Sequence, residues 1–400
     1  MAGAMTPRRL LSAVVVFSII TTFAGYLQLR RELKSSYQSR TLEETGSNGK
    51  RIIGMTVKTR TPEITTEETG SQVDGVSSQR CKGNCSDVFA QKYANNYSQN
   101  TKDFFVEVDR IMKRKWKENR TVNQAFRDDL RAALGEEGKL DNFIVTKHHI
   151  QPGETIHFYR QNGSTTLSRQ IWQLLPNDTV YYPRINHSCS VVGSSGILKG
   201  SHCGHNIDKA DFVFRFNVAD VKGFETDVGG KTNFTTLNPS FLVTKLNSLK
   251  TEEDRSQFVS ILNQFNGSYL FLPAFALTWR YGILTRAASI AKSSNTVQPI
   301  FGHPDHFTSV TRLWHKTLKG SKWTTTGLYV LSSIFDLCER IDVYGFWPFP
   351  KTLKGRHVPY HYHNDIKAGS KFSHSFSTEF NGVMSLHEQG LIHLHLGACL

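Results

Sequence analysis

SCSVVGSSG, Ser188 to Gly196, sets a short apolar run directly before a Gly/Ser turn. A run this short, ending in two valines and stopped by glycine, reads as a buried strand. Outward from it, DFVFRFN (Asp211 to Asn217) alternates with period two, and YLFLP (Tyr269 to Pro273) reads as another strand. Thr251 to Phe265 reads as a helix. Phe258, Ile261, Leu262 and Phe265 share one face, and Thr251 with Asp254 suits an N-terminal cap. TGLYVLSSIFDLC (Thr326 to Cys338) reads as a helix running into strand IDVYGF (Ile341 to Phe346). A helix around Thr378 to Glu388 and a strand, LIHLHL (Leu391 to Leu396), close the chain. Strands alternating with helices imply an α/β fold of Rossmann type, with a mostly parallel central sheet flanked by helices. Ligands of such sheets bind beyond the carboxyl ends of the strands.

The rest of the chain divides by composition. Of its 400 residues 38% are hydrophobic, enough for one sizeable core. Leu10 to Leu29 carries no charge and, at ~1.5 Å per residue, spans about one hydrocarbon thickness. It reads as a transmembrane signal-anchor after a cytoplasmic tail of residues 1–9. A cleaved signal peptide, with Thr22-Phe23-Ala24 as cleavage site, is the rival reading. Residues 30–80 are rich in Thr, Ser, Gly and Glu and read as a flexible stem, leaving 81–400 as the folded domain. Flanking charges do not orient the anchor, because Arg8 and Arg9 stand against Arg30, Arg31, Lys34 and Arg40. Asn-X-Ser/Thr sequons do: they begin at Asn84, Asn96, Asn119, Asn162, Asn177, Asn186, Asn233 and Asn266, useful only on a lumenal side. Six widely spaced cysteines (Cys81, Cys85, Cys189, Cys203, Cys338, Cys399) fit disulfides in an oxidising compartment. A net charge of +14 asks for a polyanionic partner. A lumenal chain argues against nucleic acid and leaves sialylated glycans, glycosaminoglycans or a nucleotide sugar.

Several segments carry chemistry. RIMKRKWKENR (Arg110 to Arg120) is either an anion-binding stretch or one solvated helix face anchored by Ile111 and Trp116. Gly193 to Gly196 is either a strand-to-helix turn or a loop whose N–H groups and hydroxyls hold a phosphate. Thr324-Thr325-Thr326-Gly327 precedes a helix, where hydroxyls cap the helix or bind an anion. Tyr360-His361-Tyr362-His363 and His374, with Glu379 five positions on, supply imidazoles suited to general base work on a sugar hydroxyl. Polar surface or satisfied core is the plain alternative for each histidine. Neither CxxC nor HExxH occurs, so no metal site is expected, and His393 and His395 on one strand face read as structural.

Taken together these segments resemble the motifs of animal sialyltransferases. Cys189 to Ser240 looks like the large sialylmotif, Thr324 to Phe349 like the small one, and YHYHND (Tyr360 to Asp365) like the third. His374 and Glu379 match the His-x4-Glu of the very small motif. GFWPFP and Lys115 to Thr121 are most similar to the alpha-2,8 branch, especially its oligo- and polysialylating members. The resemblance implies a Rossmann-like glycosyltransferase of the GT-A variant, inverting and needing no metal or other cofactor. It would move sialic acid from CMP-sialic acid to a sialylated glycoprotein or glycolipid, as a single-pass type II protein of the Golgi membrane, with a homodimer among the assemblies allowed. By the same resemblance His374 is the general base and His361 assists departure of the phosphate. Ser195, Asn217, Asn238, Ser240, Thr325, Thr326, Gly327 and Trp347 hold the donor. Cys189 pairs with Cys338 and Cys203 with Cys399, leaving Cys81 and Cys85 to pair locally or between chains. Three positions depart from the family: Ser194 for Asn, Phe216 for Cys and Thr324 for Pro. Two other readings stay open, transfer to galactose or N-acetylgalactosamine and a catalytically silent lumenal protein that binds acidic glycans. The sparse cations of Asn295 to Lys322 favour addition of one or a few residues over processive polymerisation.

Overall fold

The computed structural model describes residues 84–93, 101–159, 163–179, 186–318, 324–364 and 376–399. The run Leu10 to Leu29, the stem, Cys81, Asn96, Asn162 and His374 lie outside them. Among the described residues no helix is long and apolar enough to cross a membrane.

Among the described residues three helices come first: α1 (Cys85–Tyr93), α2 (Thr101–Met112) and α3 (Arg120–Leu134). An antiparallel pair, β1 (Thr155–His157) and β2 (Ser164–Thr166), and the single turn α4 (Arg169–Trp172) follow. The central sheet holds β3 (Asn186–Val192), β4 (Phe212–Arg215), β5 (Phe234–Thr236), β6 (Tyr269–Leu272), β7 (Gln298–Phe301), β8 (Cys338–Tyr344) and β9 (His393–His395). Between strands lie α5 (Gly204–Asp208), α6 (Glu225–Val228), α7 (Pro239–Lys245), α8 (Glu252–Leu262) and α9 (Tyr281–Ser294). The chain then adds α10 (Pro304–Thr317), α11 (Thr326–Ser333) and α12 (Phe376–Glu388). The spatial order is β7-β6-β5-β4-β3-β8-β9, and every neighbouring pair is parallel.

Helical crossovers bury a parallel sheet on both faces. Val191, Phe214, Phe271 and Val343 point to one side and join a core with Phe89, Phe126, Trp314 and Tyr329 from α1, α3, α10 and α11. Leu270, Leu272 and Phe301 point to the other, against Phe258 and Leu262 of α8 and Leu284 of α9. The period-two pattern of Asp211 to Asn217 therefore separates two cores, not core from water: Val213, Phe214 and Arg215 are all buried. Helix α8 keeps its expected cap, a reciprocal pair in which Thr251 Oγ1 accepts from Asp254 N and Asp254 accepts from Thr251 N.

Two expectations shift. The helix read over Thr326 to Cys338 stops at Ser333, and the strand after it starts at Cys338, paired opposite Asn186. Longer helix would carry Cys338 away from the sheet that its disulfide to Cys189 holds it in. The basic stretch is not one helix face either. It ends α2, crosses residues 113–119 without helix, and opens α3 at Arg120. Cys189–Cys338 and Cys203–Cys399 are both formed, and Cys85 is also disulfide-bonded.

Candidate active site

From β3 the sheet grows outward through β4 to β7, then returns to the other side with β8 and β9. Strand order thus reverses between β3 and β8, the place where doubly wound sheets open a binding crevice at their carboxyl ends. Two glycines permit the close approach there: a Cβ on Gly193 would clash with Gly345 O, and Gly345 has φ +68.

The loops leaving β3, β4, β5 and β8 bring together most of the residues singled out in the sequence. Ser195 Oγ donates to Trp347 O at 2.8 Å, tying the β3 loop to the β8 loop. N–H groups of Gly193, Ser195 and Gly196 donate to the carbonyls of Tyr344, Gly345 and Pro359, so this turn joins three loops with amides already engaged. Asn217 adopts left-handed backbone, φ 56, as its short polar side chain tolerates, and its Oδ1 accepts from Asn238 N at 3.0 Å. Asn238 Oδ1 in turn accepts from Thr326 Oγ1 at 3.4 Å. Ser240, near the start of α7, is exposed. Trp347 is buried, its Nε1 donating to Lys351 O. Phe216, at the family's Cys position, packs edge-on against Phe346.

Helix α11 presents its N-terminus to this crevice. Thr325 caps it, Oγ1 accepting from Leu328 N at 3.2 Å, which leaves the first amides of Thr326 and Gly327 without intrahelical partners. A Cβ on Gly327 would press on the Phe346 ring at 3.1 Å, so glycine keeps the approach open. The cap is itself gripped by Glu379 of α12, whose carboxylate accepts from Thr325 N at 2.8 Å and Oγ1 at 2.6 Å. Burial raises the Glu379 carboxyl to about 7, against the lowering effect of both Thr325 bonds. Of the two readings of this turn, the structure shows the cap: the Thr325 hydroxyl accepts from Leu328 N.

His361 and His363 stack at 5.1 Å with an interplanar angle of 8°. Asn364 lies between their Nδ1 atoms, 3.3 Å from His361 and 3.0 Å from His363. With Asn364 Nδ2 donating to His363, its Oδ1 accepts from His361 Nδ1–H, which leaves His361 Nε2 with its lone pair; the tautomer is assigned from this network. Burial, and then the neighbouring His363, push His361 down to about 4. His374 and Asp365 lie outside the described residues.

Arg215 carried no assignment in the sequence reading, although a guanidinium in an otherwise apolar buried strand was the signal. It is 2% exposed and donates to the carbonyls of Val228, Gly229 and Lys231. Burial pushes it down to about 10. Its strand leads directly to Asn217, and it lies in the field of Tyr362, whose hydroxyl donates to Asp220 O. Away from the crevice, His393 and His395 both approach Asp342 of β8. Of the sequon residues, Asn84, Asn119, Asn177 and Asn266 are exposed, whereas Asn233 is half-buried with Oδ1 accepting from Val213 N.

Residues 144–391 match the profile of glycosyltransferase family 29 (sialyltransferase). The chain belongs to that family. It is 32% identical over 262 residues to "Alpha-2,8-sialyltransferase 8E" of Rattus norvegicus, covering 64% of this chain and 69% of the relative. The Homo sapiens protein of that name is 32% identical over 240 residues, 60% of this chain and 63% of the relative. Two solved structures are similar. A mammalian sialyltransferase shares 18% identity at a TM-score of 0.42, over 80% of this chain and 98% of the other. A mammalian sialyltransferase in complex with Gal-beta-1-3GalNAc-ortho-nitrophenol shares 22% at 0.40, over 57% and 78%.

Proposed function

We propose that the chain transfers sialic acid from CMP-sialic acid to a sialylated glycan, forming an alpha-2,8 linkage with inversion. The observation that carries this reading is the convergence of the β3, β4, β5 and β8 loops on the N-terminus of α11, with its cap gripped by Glu379. A helix N-terminus with unspent amides favours an anion. The CMP phosphate is the anion the family's donor supplies, and relatives named for the alpha-2,8 linkage support the choice of acceptor.

In this mechanism the acceptor hydroxyl oxygen bonds to the anomeric carbon of the sialyl group as the bond from that carbon to the phosphate oxygen breaks. The transition state has oxocarbenium character, with negative charge building on phosphate. Preorganised donors aimed at that charge lower the barrier. Thr326 and Gly327 amides supply donors. His361 takes up a proton at Nε2 as the phosphate arrives, because a neighbouring anion favours the imidazolium, and then donates to the leaving oxygen. His374 takes the hydroxyl proton; it stands two residues before α12, and the Glu379–Thr325 bonds hold the start of that helix against α11. The fold is read as a GT-A variant and the setting as a Golgi membrane, type II, with the domain lumenal.

The test is transfer from CMP-sialic acid by the full chain in detergent to a panel of sialylated and asialo glycans, beside His374→Ala. Transfer to sialylated acceptors is expected, with a loss of at least ~100-fold in the variant. No transfer to any acceptor sinks the enzyme reading, transfer to asialo acceptors alone replaces the linkage, and full activity in the variant removes His374 from its role.

A further inference from the structure

The last strand carries chemistry that the crevice does not use. Strand β9 is His393-Leu394-His395, and side chains alternate across a strand. Leu394 is fully buried in the core, so both imidazoles lie on the opposite face. In register beside them on β8, Asp342 faces His393 and Tyr344 faces His395. Two strands thus place two imidazoles and a carboxylate on one patch of sheet.

Their ligand atoms converge. His393 Nδ1 is 3.1 Å and His395 Nε2 is 2.8 Å from Asp342 Oδ1, and the three atoms lie within 4.8 Å of one another. Ligands held tetrahedrally at ~2.0–2.1 Å from zinc stand ~3.3 Å apart. The two nitrogen–oxygen separations therefore need to widen by only ~0.2–0.5 Å to admit the ion.

The rings are held in place from outside. Trp116 stacks on His393 at 4.5 Å and 10°, and Tyr344 stacks on His395 at 4.3 Å and 7°. Arg340 Nε donates to Asp342 Oδ2 at 2.8 Å, fixing the carboxylate while Oδ1 faces the histidines; Arg340 Nη2 also reaches Oδ1, at 3.1 Å. Side-chain exposures of 13% for Asp342, 26% for His393 and 20% for His395 leave the patch half-buried but reachable.

We propose that Asp342, His393 and His395 form a binding site for a divalent transition-metal ion, zinc being the ion the donors fit. Two imidazoles and one carboxylate are the donor types of zinc sites with an open fourth position, taken here by water. Calcium and magnesium favour oxygen-rich shells that this cluster does not offer. Binding needs no redox change. Each neutral imidazole moves its single N–H to the other ring nitrogen, and the lone pair so freed, with the carboxylate oxygen, binds the ion. Asp342 is followed by two further β8 residues before the crevice loops begin, so the ion sits on the sheet face and takes no part in transfer. Its effect is to pin edge strand β9 to β8 and to hold Trp116, from the segment joining α2 and α3, over the sheet.

The test uses the full chain in detergent, stripped with chelator and titrated with Zn2+ by calorimetry, with the thermal midpoint read at saturation. Wild type is expected to bind one more ion than the His393→Gln/His395→Gln variant, and its midpoint to rise on zinc addition where the variant's does not. Asp342→Asn, which keeps a similar shape, is expected to weaken that ion's affinity at least ~10-fold. Substituting Co2+ adds a signature: a tetrahedral d–d spectrum in wild type, lost in both variants. A His149→Ala/His303→Ala control, altering another close histidine pair, keeps the ion. Equal ion counts in wild type and the double variant, or a cobalt spectrum that survives both substitutions, overturn the proposal. Neither outcome depends on whether sialic acid is transferred.

Discussion

Glu379 accepts two hydrogen bonds from a single residue, and at this scale the site's polar wiring is most exposed to one substitution. Glu379→Ala leaves the Thr325 N–H without that partner, a cost of about 1–3 kcal/mol. Its pH dependence has a defined sign. Burial lifts the folded carboxyl from 4.5 to about 7, so the native state holds its proton more tightly than the unfolded chain. That contribution is fully present below about pH 4.5 and is lost as pH rises through about 7, by roughly 3 kcal/mol in all. Glu379→Gln removes the titration. Wild type is therefore expected to gain stability relative to Glu379→Gln between pH 7.5 and pH 5 in urea unfolding; parallel curves would show that the carboxyl does not titrate there. Glu379 was marked in the sequence by its spacing from His374, but its partner could not be, because Thr325 is 54 residues away and only packing joins them.

At the scale of elements, two helices share one capping device for different ends. Thr251 caps α8 in a reciprocal pair with Asp254, and Thr325 caps α11 where the crevice opens. Either Thr→Ala change should cost about 1 kcal/mol of stability. Only Thr325→Ala is expected to raise KM for CMP-sialic acid, by several-fold, because it loosens the amides proposed to hold the donor phosphate. Equal donor KM in both variants would separate α11 from phosphate binding. Elements were legible where the apolar period was long, as in α8, or where a run was short and bounded, as in β3 and β6. Strand β5, only Phe234–Thr236, was too short to read, and β7 carries Pro299. Proline fits β7 because that strand is an edge, a fact fixed by sheet order and not by its own residues.

For the whole molecule, the Cys189–Cys338 bridge joins the first central strand to the strand on its other side, across a sequence separation of 149. Closing a loop of that size restrains the unfolded chain by up to about 5 kcal/mol in the chain-entropy account. Cys189→Ala/Cys338→Ala should lower the thermal midpoint sharply and lose transfer, since the crevice lies where these strands separate. A variant within about 1 kcal/mol of wild type would put the stabilisation elsewhere.

The sequence alone determined the α/β class, most strands, the cap of α8, and through motif order the family and two of its cysteine pairs. These depend on local periodicity, turn chemistry and residue spacing, which a linear chain displays. Tertiary structure alone decided that the sheet reverses at β3 and β8, and that the amides of Gly193, Ser195 and Gly196 are engaged by other loops. It also tied buried Arg215 to the carbonyls of Val228, Gly229 and Lys231, and gathered Asp342, His393 and His395 on one face. Each of those depends on which distant segments share a neighbour, and chain order does not carry that information.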